Sequence, residues 1–439
     1  MFTLKTLNNG VRLLTAPMRG TQTATILIMV GTGSKYENRK NSGISHFLEH
    51  MFFKGTVKRP TALAVSSELD GIGAEFNAFT GKEYTGYWIK ADSSKFDKAL
   101  DVLSDMLLNS KFDESEINRE KGVIIEEYNM YEDNPMMHIE DIFERALYGN
   151  TPAGWDTIGF KENISGFKRE DFTSYFNSQY APQNITVCVV GNLKNNKEMV
   201  AKVTRIFNSP ELNKRGANFQ EKLAVVEKQS KPQCLVEYKK TDQAHFSLGV
   251  RTYAYGNKKK AALKMLSLIM GGSMSSRLFI NLRERRGLAY YVHADGETYS
   301  DCGYLTTRAG VPTAKLNEAI KIVLQEYRKL KNELVTAEEL KKARDMIVGR
   351  MAIQMEASDN VANWYSRQLV MESTVSRTKK KKFDEKNISN HEDYLKEILK
   401  VKASDIQKVA REIFVNGGLN MAVIGPYKND KEIRSLLKI

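Results

Sequence analysis

The sequence predicts an α+β protein of two similar domains, each with helices packed on a mixed or antiparallel sheet. Strand-like and helix-like segments alternate along the 439 residues, and this length allows two or three domains at roughly 100–200 residues each. The order of the segments repeats in the second half, which indicates a duplicated domain. A polar, non-periodic stretch separates the copies. We therefore predict an N-terminal domain at 1–210, a linker at 211–231 and a C-terminal domain at 232–439.

The first copy begins with a predicted hairpin, in which residues 2–7 and 11–14 are strands around the turn Asn8-Asn9-Gly10. A helix follows at 41–53, because its apolar residues recur at helical spacing. The remaining elements predicted here are strands at 23–30, 75–80, 84–91 and 184–190 and helices at 93–108 and 114–131.

The second copy repeats this order. Its predicted elements are strands at 234–238 and 245–250, helices near 259–270 and 275–285, a hairpin at 290–309 and a pair of helices. Residues 112–128 can be laid on 335–351 with their apolar positions kept, but two acidic positions are replaced. These pairs are Glu120 opposite Ala343 and Glu127 opposite Arg350. Any function of these two carboxylates is therefore confined to the first copy.

The composition is that of a globular protein, with 41% hydrophobic and 27% charged residues. No apolar stretch approaches the roughly 20 residues of a membrane-spanning helix. The net charge of +13 is dispersed, so we expect neither a nucleic-acid nor a membrane partner. Three distant cysteines without a CxxC pair indicate a reducing compartment. The N-terminus reads as the start of the fold, which favours a bacterial-type cytoplasm, with the mitochondrial matrix as the alternative.

The residues suited to catalysis concentrate in His46-Phe47-Leu48-Glu49-His50. On a helix, His46 and His50 lie one turn apart on one face, so both imidazoles can bind one metal ion. Glu49 lies beside them. The pattern HxxEH is the inverse of the HExxH zinc-peptidase motif. A catalytic zinc needs a third protein ligand and an open position for water, and the carboxylate-rich helix at 114–131 is the obvious source.

The sequence resembles the pitrilysin/insulinase family of zinc peptidases over nearly its whole length, in particular half-length members similar to the mitochondrial processing peptidase β subunit and its bacterial homologues. The segments that carry the resemblance are HFLEH at 46–50, FKGT at 53–56, NAFT at 77–80, REKGVIIEE at 119–127 and EDNP at 132–135. The family spacing implies Glu127, not Glu126, as the third ligand of one zinc ion per chain. It also implies that Glu120, two helical turns earlier, orients a ligand.

The resemblance implies substrate contacts as well. Arg283 and Tyr290, seven residues apart, correspond to an arginine and a tyrosine suited to binding the substrate and the oxyanion formed at the attacked carbonyl. The hairpin edge at Asn77, Ala78 and Phe79 corresponds to the segment that holds substrate as an added β-strand.

These residues predict a zinc endopeptidase that cleaves presequence-like or other unfolded peptides, with Glu49 as the general base. Relatives of this length enclose a chamber between two chains or two halves of one chain. The resemblance therefore implies a homodimer with composite sites, in which Arg283 and Tyr290 of one subunit face the zinc of the other.

Two other functions are compatible with the sequence. One is a non-catalytic structural subunit of a larger complex, although such family members typically lose ligands that this chain keeps. The other is a basic scaffold that binds nucleic acid or a membrane, which a steep salt dependence of binding would reveal.

Overall fold

The computed structural model describes residues 2–193 and 196–439. Met1, Lys194 and Asn195, which fall within the predicted N-terminal domain, lie outside the described residues. None of the helices in the described ranges combines the length and apolarity needed to cross a bilayer.

The first sheet is mixed and contains the predicted N-terminal hairpin. Its strands are β1 (Thr3–Thr6), β2 (Arg12–Pro17), β3 (Thr23–Val30), β4 (Glu75–Thr80), β5 (Thr85–Asp92) and β6 (Ile185–Gly191). They lie in the order β1-β2-β6-β3-β5-β4. Only β2 and β6 pair in parallel, and the other neighbours are antiparallel. This order places β4 at an edge of the sheet.

The second sheet repeats this topology. Its strands are β7 (Gln233–Tyr238), β8 (Gln243–Arg251), β9 (Tyr291–Thr298), β10 (Gly303–Pro312) and β11 (Leu419–Gly425). The order β7-β11-β8-β10-β9 matches β2-β6-β3-β5-β4 strand for strand, with β7 and β11 as the parallel pair. Each half of the chain therefore builds a mixed sheet packed with helices, which confirms the predicted fold class and the duplication.

The helices that were predicted lie close to their predicted positions, with one exception, and the structure adds others that were not predicted. Those of the first half are α1 (Ile44–Met51), α2 (Ala62–Asp70), α3 (Phe96–Asn109), α4 (Glu114–Asp133), α5 (Pro135–Tyr148), α6 (Lys161–Gly166), α7 (Arg169–Gln179), α8 (Asn196–Phe207) and α9 (Pro210–Asn213). Those of the second half are α10 (Lys260–Gly271), α11 (Leu316–Asn332), α12 (Ala337–Gln354), α13 (Ser358–Thr378), α14 (His391–Lys400), α15 (Ala403–Ile413) and α16 (Lys431–Ser435). The exception is the helix predicted at 275–285, which is a π-helical segment at Phe279–Glu284.

The two compact units differ from the predicted domain boundaries. The first comprises Met1–Tyr128, Asp156–Leu223 and Ala352–Asn390, and the second comprises Asn129–Trp155, Ala224–Met351 and His391–Ile439. The physical reason is an exchange of helices. α5, from the first half, packs on β7, β8 and β11, whereas α13, from the second half, packs on β2, β3, β5 and β6. Each sheet thus completes its core with a helix from the other half of the sequence.

The first sheet is buried on both faces, and α1 lies against its edge strand. Alternate residues of a strand point to opposite faces. Leu27 and Met29 of β3 belong to the apolar cluster that contains Leu369 of α13, while Ile26 and Ile28 are equally buried on the other face. α1 packs against the edge strand β4.

A buried arginine ties the segment after α1 to α2 and α3. Arg59 is 1% exposed, and its guanidinium lies 2.8 Å from Glu68, 2.6 Å from Asp101 and 2.7 Å from Asp105. Of these carboxylates, only that of Asp105 is buried. Its neighbour Lys58 is exposed and pairs with Asp101 alone.

Replacing Arg59 by methionine is expected to lower the free energy of unfolding by about 3 kcal/mol, because it leaves the buried Asp105 carboxylate without its counter-charge. Urea unfolding measures the change. Lys58→Met is the matched control and should cost less than about 1 kcal/mol, as exposed ion pairs do. Equal losses in the two variants would contradict this role of Arg59.

Candidate metal centre and active site

The helix α1 carries the HxxEH motif on its polar face. Ile44, Phe47, Leu48 and Met51 are at most 1% exposed and anchor the opposite face in the core. His46, Glu49 and His50 are only partly buried. The face predicted from the spacing of the motif is therefore the one that the fold leaves accessible.

The first turn of α1 is held by a buried carboxylate. Gly43 precedes the helix with φ +99°, and a Cβ there would lie 2.7 Å from the carbonyl oxygen of Ile158. The backbone N–H groups of Gly43 and Ser45 each donate to Glu37 at 2.8 Å. A carboxylate in this position stabilises a helix N-terminus, and burial raises the pKa of this carboxyl to about 7.

The helix α4 presents the two predicted site glutamates, Glu120 and Glu127, on one stripe. Ile117, Glu120 and Ile124 are its buried residues, and continuing this spacing leads to Glu127. Glu126 lies off the stripe and is exposed. Helical geometry therefore places Glu126 and Glu127 on different faces of α4, although they are adjacent in the sequence.

α1 and α4 bring together a set of ligands suited to a metal ion. One donor atom from each of His46, His50 and Glu127 lies within 4.8 Å of the others. Oε2 of Glu127 is 3.7 Å from Nε2 of His46 and 3.5 Å from Nε2 of His50. Two imidazole nitrogens and one carboxylate oxygen, with further positions open, are a ligand set of catalytic zinc sites.

The two histidines differ in protonation in the metal-free protein. Burial lowers the pKa of His46 to about 4, so its imidazole is neutral at pH 7. Burial alone would lower the pKa of His50 as well, but Glu120 and Glu127 raise it to about 9. A metal ion would replace the proton on Nε2 of His50, which lies 3.5 Å from Oε2 of Glu127, as metal binding generally does.

Glu120 is placed to orient a ligand. Its side chain is 3% exposed, and Oε1 lies 2.9 Å from Nδ1 of His50. When this carboxylate accepts the Nδ1 proton, the lone pair on Nε2 faces the donor atoms of His46 and Glu127. The sequence analysis predicted that Glu120 orients a ligand but did not predict which one.

Glu49 lies outside the ligand set and bonds to β4. The hydroxyl of Thr80 donates to Oε2 of Glu49 at 2.5 Å. Burial raises the pKa of the Glu49 carboxyl above its ordinary value, while the bond from Thr80 opposes the increase. Glu49 is thus a partly buried carboxylate beside the ligand cluster, with one oxygen engaged.

The predicted substrate segment lies in β4, which pairs only with β5 in the described sheet. Strand alternation divides its residues between the faces. Ala78 shares a face with Thr80, whereas Asn77 and Phe79 point to the other face, where Phe79 packs against the cluster that contains α13. The N–H of Ala78 donates to the side chain of Asn77 at 2.8 Å, so this side chain would have to turn away before an added strand could pair there.

Arg283 and Tyr290 lie close to each other in the second unit. The guanidinium carbon of Arg283 is 5.8 Å from the centre of the Tyr290 ring and 5.0 Å from that of Phe279. The tyrosine is 75% exposed. Arg283 projects from the π-helical segment, a distortion often found at functional sites.

The sequence analysis missed two residues in contact with the site, Lys54 and Thr80, and also Glu37, which holds the start of α1. Lys54 and Thr80 belong to the quoted segments FKGT and NAFT, which was the available signal. Their partners, Glu120 and Glu49, are distant in sequence, so spacing alone could not assign the contacts.

The second copy lacks the counterparts of Glu120 and of the candidate ligand Glu127. Ala343, opposite Glu120 in sequence, is buried in the apolar cluster of the second unit. Arg350, opposite Glu127, donates to the carbonyl of Gly272 at 3.1 Å. An apolar residue and a cation cannot replace these carboxylates. Within the described ranges, the one group of histidine, cysteine or carboxylate donors close enough to share a metal ion is that of the first unit.

Two family models match the chain in succession. Residues 12–159 match the insulinase domain of peptidase family M16, and residues 166–347 match the domain described as the peptidase M16 inactive domain. The second description agrees with the loss of ligands in the second copy.

Similar proteins extend over nearly the whole chain. A Bacillus subtilis protein named uncharacterized zinc protease YmxG is 32% identical over 424 residues, which are 97% of this chain and 98% of the relative. A Rickettsia felis protein named uncharacterized zinc protease is 34% identical over 97% of this chain and 98% of its own. The crystal structure of a protease from Helicobacter pylori shares the fold, with a TM-score of 0.85 at 24% identity, over 97% of this chain and 99% of that one.

Proteins named zinc proteases are thus similar to this chain over nearly its whole length. The chain belongs to the insulinase family, peptidase family M16, and is of its half-length type.

Proposed function

We propose that this chain is a zinc-dependent endopeptidase that binds one zinc ion. The observation that carries the proposal is the cluster of His46, His50 and Glu127, with the Glu49 carboxylate beside it. The names of the relatives support zinc and proteolysis in general. The reaction and the residue roles are inferred from the geometry.

Each residue of the cluster has a distinct task in this reaction. His46, His50 and Glu127 would hold the zinc, and Glu120 would fix the ring of His50. Zinc bound there would polarise the scissile carbonyl and lower the pKa of a water molecule. Glu49 takes the proton from that water and gives it to the leaving amine. The bond from Thr80 leaves the other carboxylate oxygen of Glu49 available for this proton.

The substrate is proposed to be an unfolded peptide in an extended conformation. An edge strand offers unpaired backbone N–H and C=O groups with which a peptide can pair. β4 is such an edge, and Thr80 at its end bonds to Glu49. A peptide that pairs with β4 would thus lie beside Glu49, the proposed general base.

The test is hydrolysis of a mixed pool of peptides of about 10–40 residues, a range suited to strand addition, read by mass spectrometry. Cleavage should disappear after chelation and return when zinc is restored. Cleavage that persists after complete zinc removal would refute the proposal. A folded, zinc-loaded protein that cleaves nothing would instead favour the non-catalytic subunit, and co-purifying proteins would then identify its complex.

The sites are further proposed to be composite in a homodimer, with Arg283 and Tyr290 of one subunit serving the zinc of the other. The exposure of Tyr290 and the loss of ligands in the second copy support this arrangement.

Mixing Glu49→Gln chains with Arg283→Ala chains should restore about one quarter of wild-type activity. Half of the randomly mixed dimers are hetero-dimers, and one of their two sites combines an intact Glu49 with an intact Arg283. Peptide hydrolysis measures the recovery, and differently tagged chains report exchange by co-purification. Demonstrated exchange without recovery would exclude composite sites.

A further inference from the structure

The turn after α1 places Lys54 beside the ligand cluster. α1 ends at Met51, and Lys54 follows in a turn closed by the bond from its N–H to the carbonyl of Met51. Gly55 then adopts φ +119°, and a Cβ there would lie 2.7 Å from the carbonyl oxygen of Pro60. Only glycine fits this close approach, so the backbone that positions Lys54 has little freedom.

Lys54 contacts the carboxylate that orients His50. Its Nζ is 2.6 Å from Oε2 of Glu120, while Oε1 of the same carboxylate is 2.9 Å from Nδ1 of His50. The two oxygens of the carboxylate therefore have different partners. Rotation of the Glu120 carboxylate would break both contacts, so the ammonium group restrains the orientation in which Oε1 faces His50.

The burial of Glu120 makes a second partner necessary. Its side chain is 3% exposed, whereas that of Lys54 is 24% exposed. A buried carboxylate is stable only when its charge is compensated and its oxygens are hydrogen-bonded. The contacts of its two oxygens with His50 and Lys54 supply both.

We propose that Lys54 is a positioning residue for the metal centre, which fixes the Glu120 carboxylate and through it the His50 ring. The ion-pair partner of Lys54 is Glu120, which is neither a proposed ligand nor the general base, so the effect of the lysine passes through Glu120. The inference rests on the proposed zinc site. It extends the contacts of His50 from Glu120 to Lys54.

The test is the zinc affinity of the full chain, measured by competition with a chromogenic chelator. Lys54→Met should weaken zinc binding about tenfold, the lower end of the range for partners of ligating histidines. Lys54→Arg keeps a cation that reaches a carboxylate and should stay within about threefold of the wild type. Lys58→Met, at a nearby exposed lysine, is the matched control and should leave zinc affinity unchanged.

A double-mutant cycle separates positioning from general destabilisation. If Lys54 acts through Glu120, Lys54→Met should have no further effect on zinc affinity in a Glu120→Gln chain, because residues of one network are not additive. A merely structural lysine would lower the unfolding midpoint of the metal-free protein without this coupling.

The outcomes distinguish the inference from the proposed function. Wild-type protein that binds no zinc would overturn the zinc site itself. If the wild type binds zinc and Lys54→Met binds it with the same affinity, Lys54 has no positioning role. The same follows if Lys54→Met lowers zinc affinity equally in the wild-type and Glu120→Gln chains. Either result would leave the zinc site standing.

Discussion

Replacing Glu49 by glutamine is expected to reduce peptide hydrolysis by about 10³-fold while zinc still binds. The amide has nearly the same shape as the carboxylate, and its carbonyl oxygen can still accept the hydrogen bond from Thr80. It cannot take a proton from water, and the loss of a general base typically costs between about 10² and 10⁴ in rate. Because Glu49 is not among the clustered donors, zinc content should remain one ion per chain.

Initial rates on a cleaved peptide and zinc content from elemental analysis give the two quantities. Glu126→Gln is the matched control, since it makes the same chemical change at an exposed glutamate. It should leave both quantities unchanged. A Glu49→Gln chain that cleaves at the wild-type rate would exclude Glu49 as the base, and a chain that also lost zinc would make it a ligand.

Replacing Glu127 by glutamine is expected to weaken zinc binding by more than about 100-fold, beyond the range for residues that only orient a ligand. The change removes the only carboxylate of the clustered set and substitutes a neutral amide, which is a poorer partner for a dication. Activity should fall in parallel, because the metal is lost.

The Glu126→Gln change, at the adjacent residue, tests whether Glu127 and not Glu126 is the third ligand. Both variants remove one negative charge from α4, so a long-range electrostatic effect would act on both alike. Chelator competition measures the zinc affinity of each chain. Equal affinities in the two variants, or a larger loss at Glu126, would contradict the assignment of Glu127.

The two copies fill one corresponding buried position in different ways. Glu120 and Ala343 occupy corresponding positions on α4 and α12, and both are buried. The first copy compensates a buried carboxylate with His50 and Lys54. The second copy has an apolar side chain in the core instead, which is the simpler way to fill such a position.

Local patterns were sufficient to predict much of the fold. The hairpin around Gly10, the β4–β5 hairpin and the helix α4 all follow from short-range periodicity and turn residues. The spacing of His46 and His50 placed both on one helical face. The choice of Glu127 over Glu126 came from family spacing, and the buried stripe of α4 agrees with it.

Other features depend on contacts between residues far apart in the chain. The sequence suggested two contiguous domains, whereas the exchange of α5 and α13 is decided by which apolar faces complement each other. The π-helical segment at Phe279–Glu284 replaced a predicted α-helix, since periodicity does not distinguish the two over so few residues.

The sequence by itself determined the fold class, the duplication and the histidine pair, because strand alternation and helical spacing are properties of residues close together in the chain, and family resemblance added Glu127. Only the tertiary structure decided which side chains complete the site. Thr80 reaches Glu49 across 31 positions, and Lys54 reaches Glu120 across 66. Such partners are set by the packing of α1 against β4 and α4, and no local pattern encodes a distance between elements.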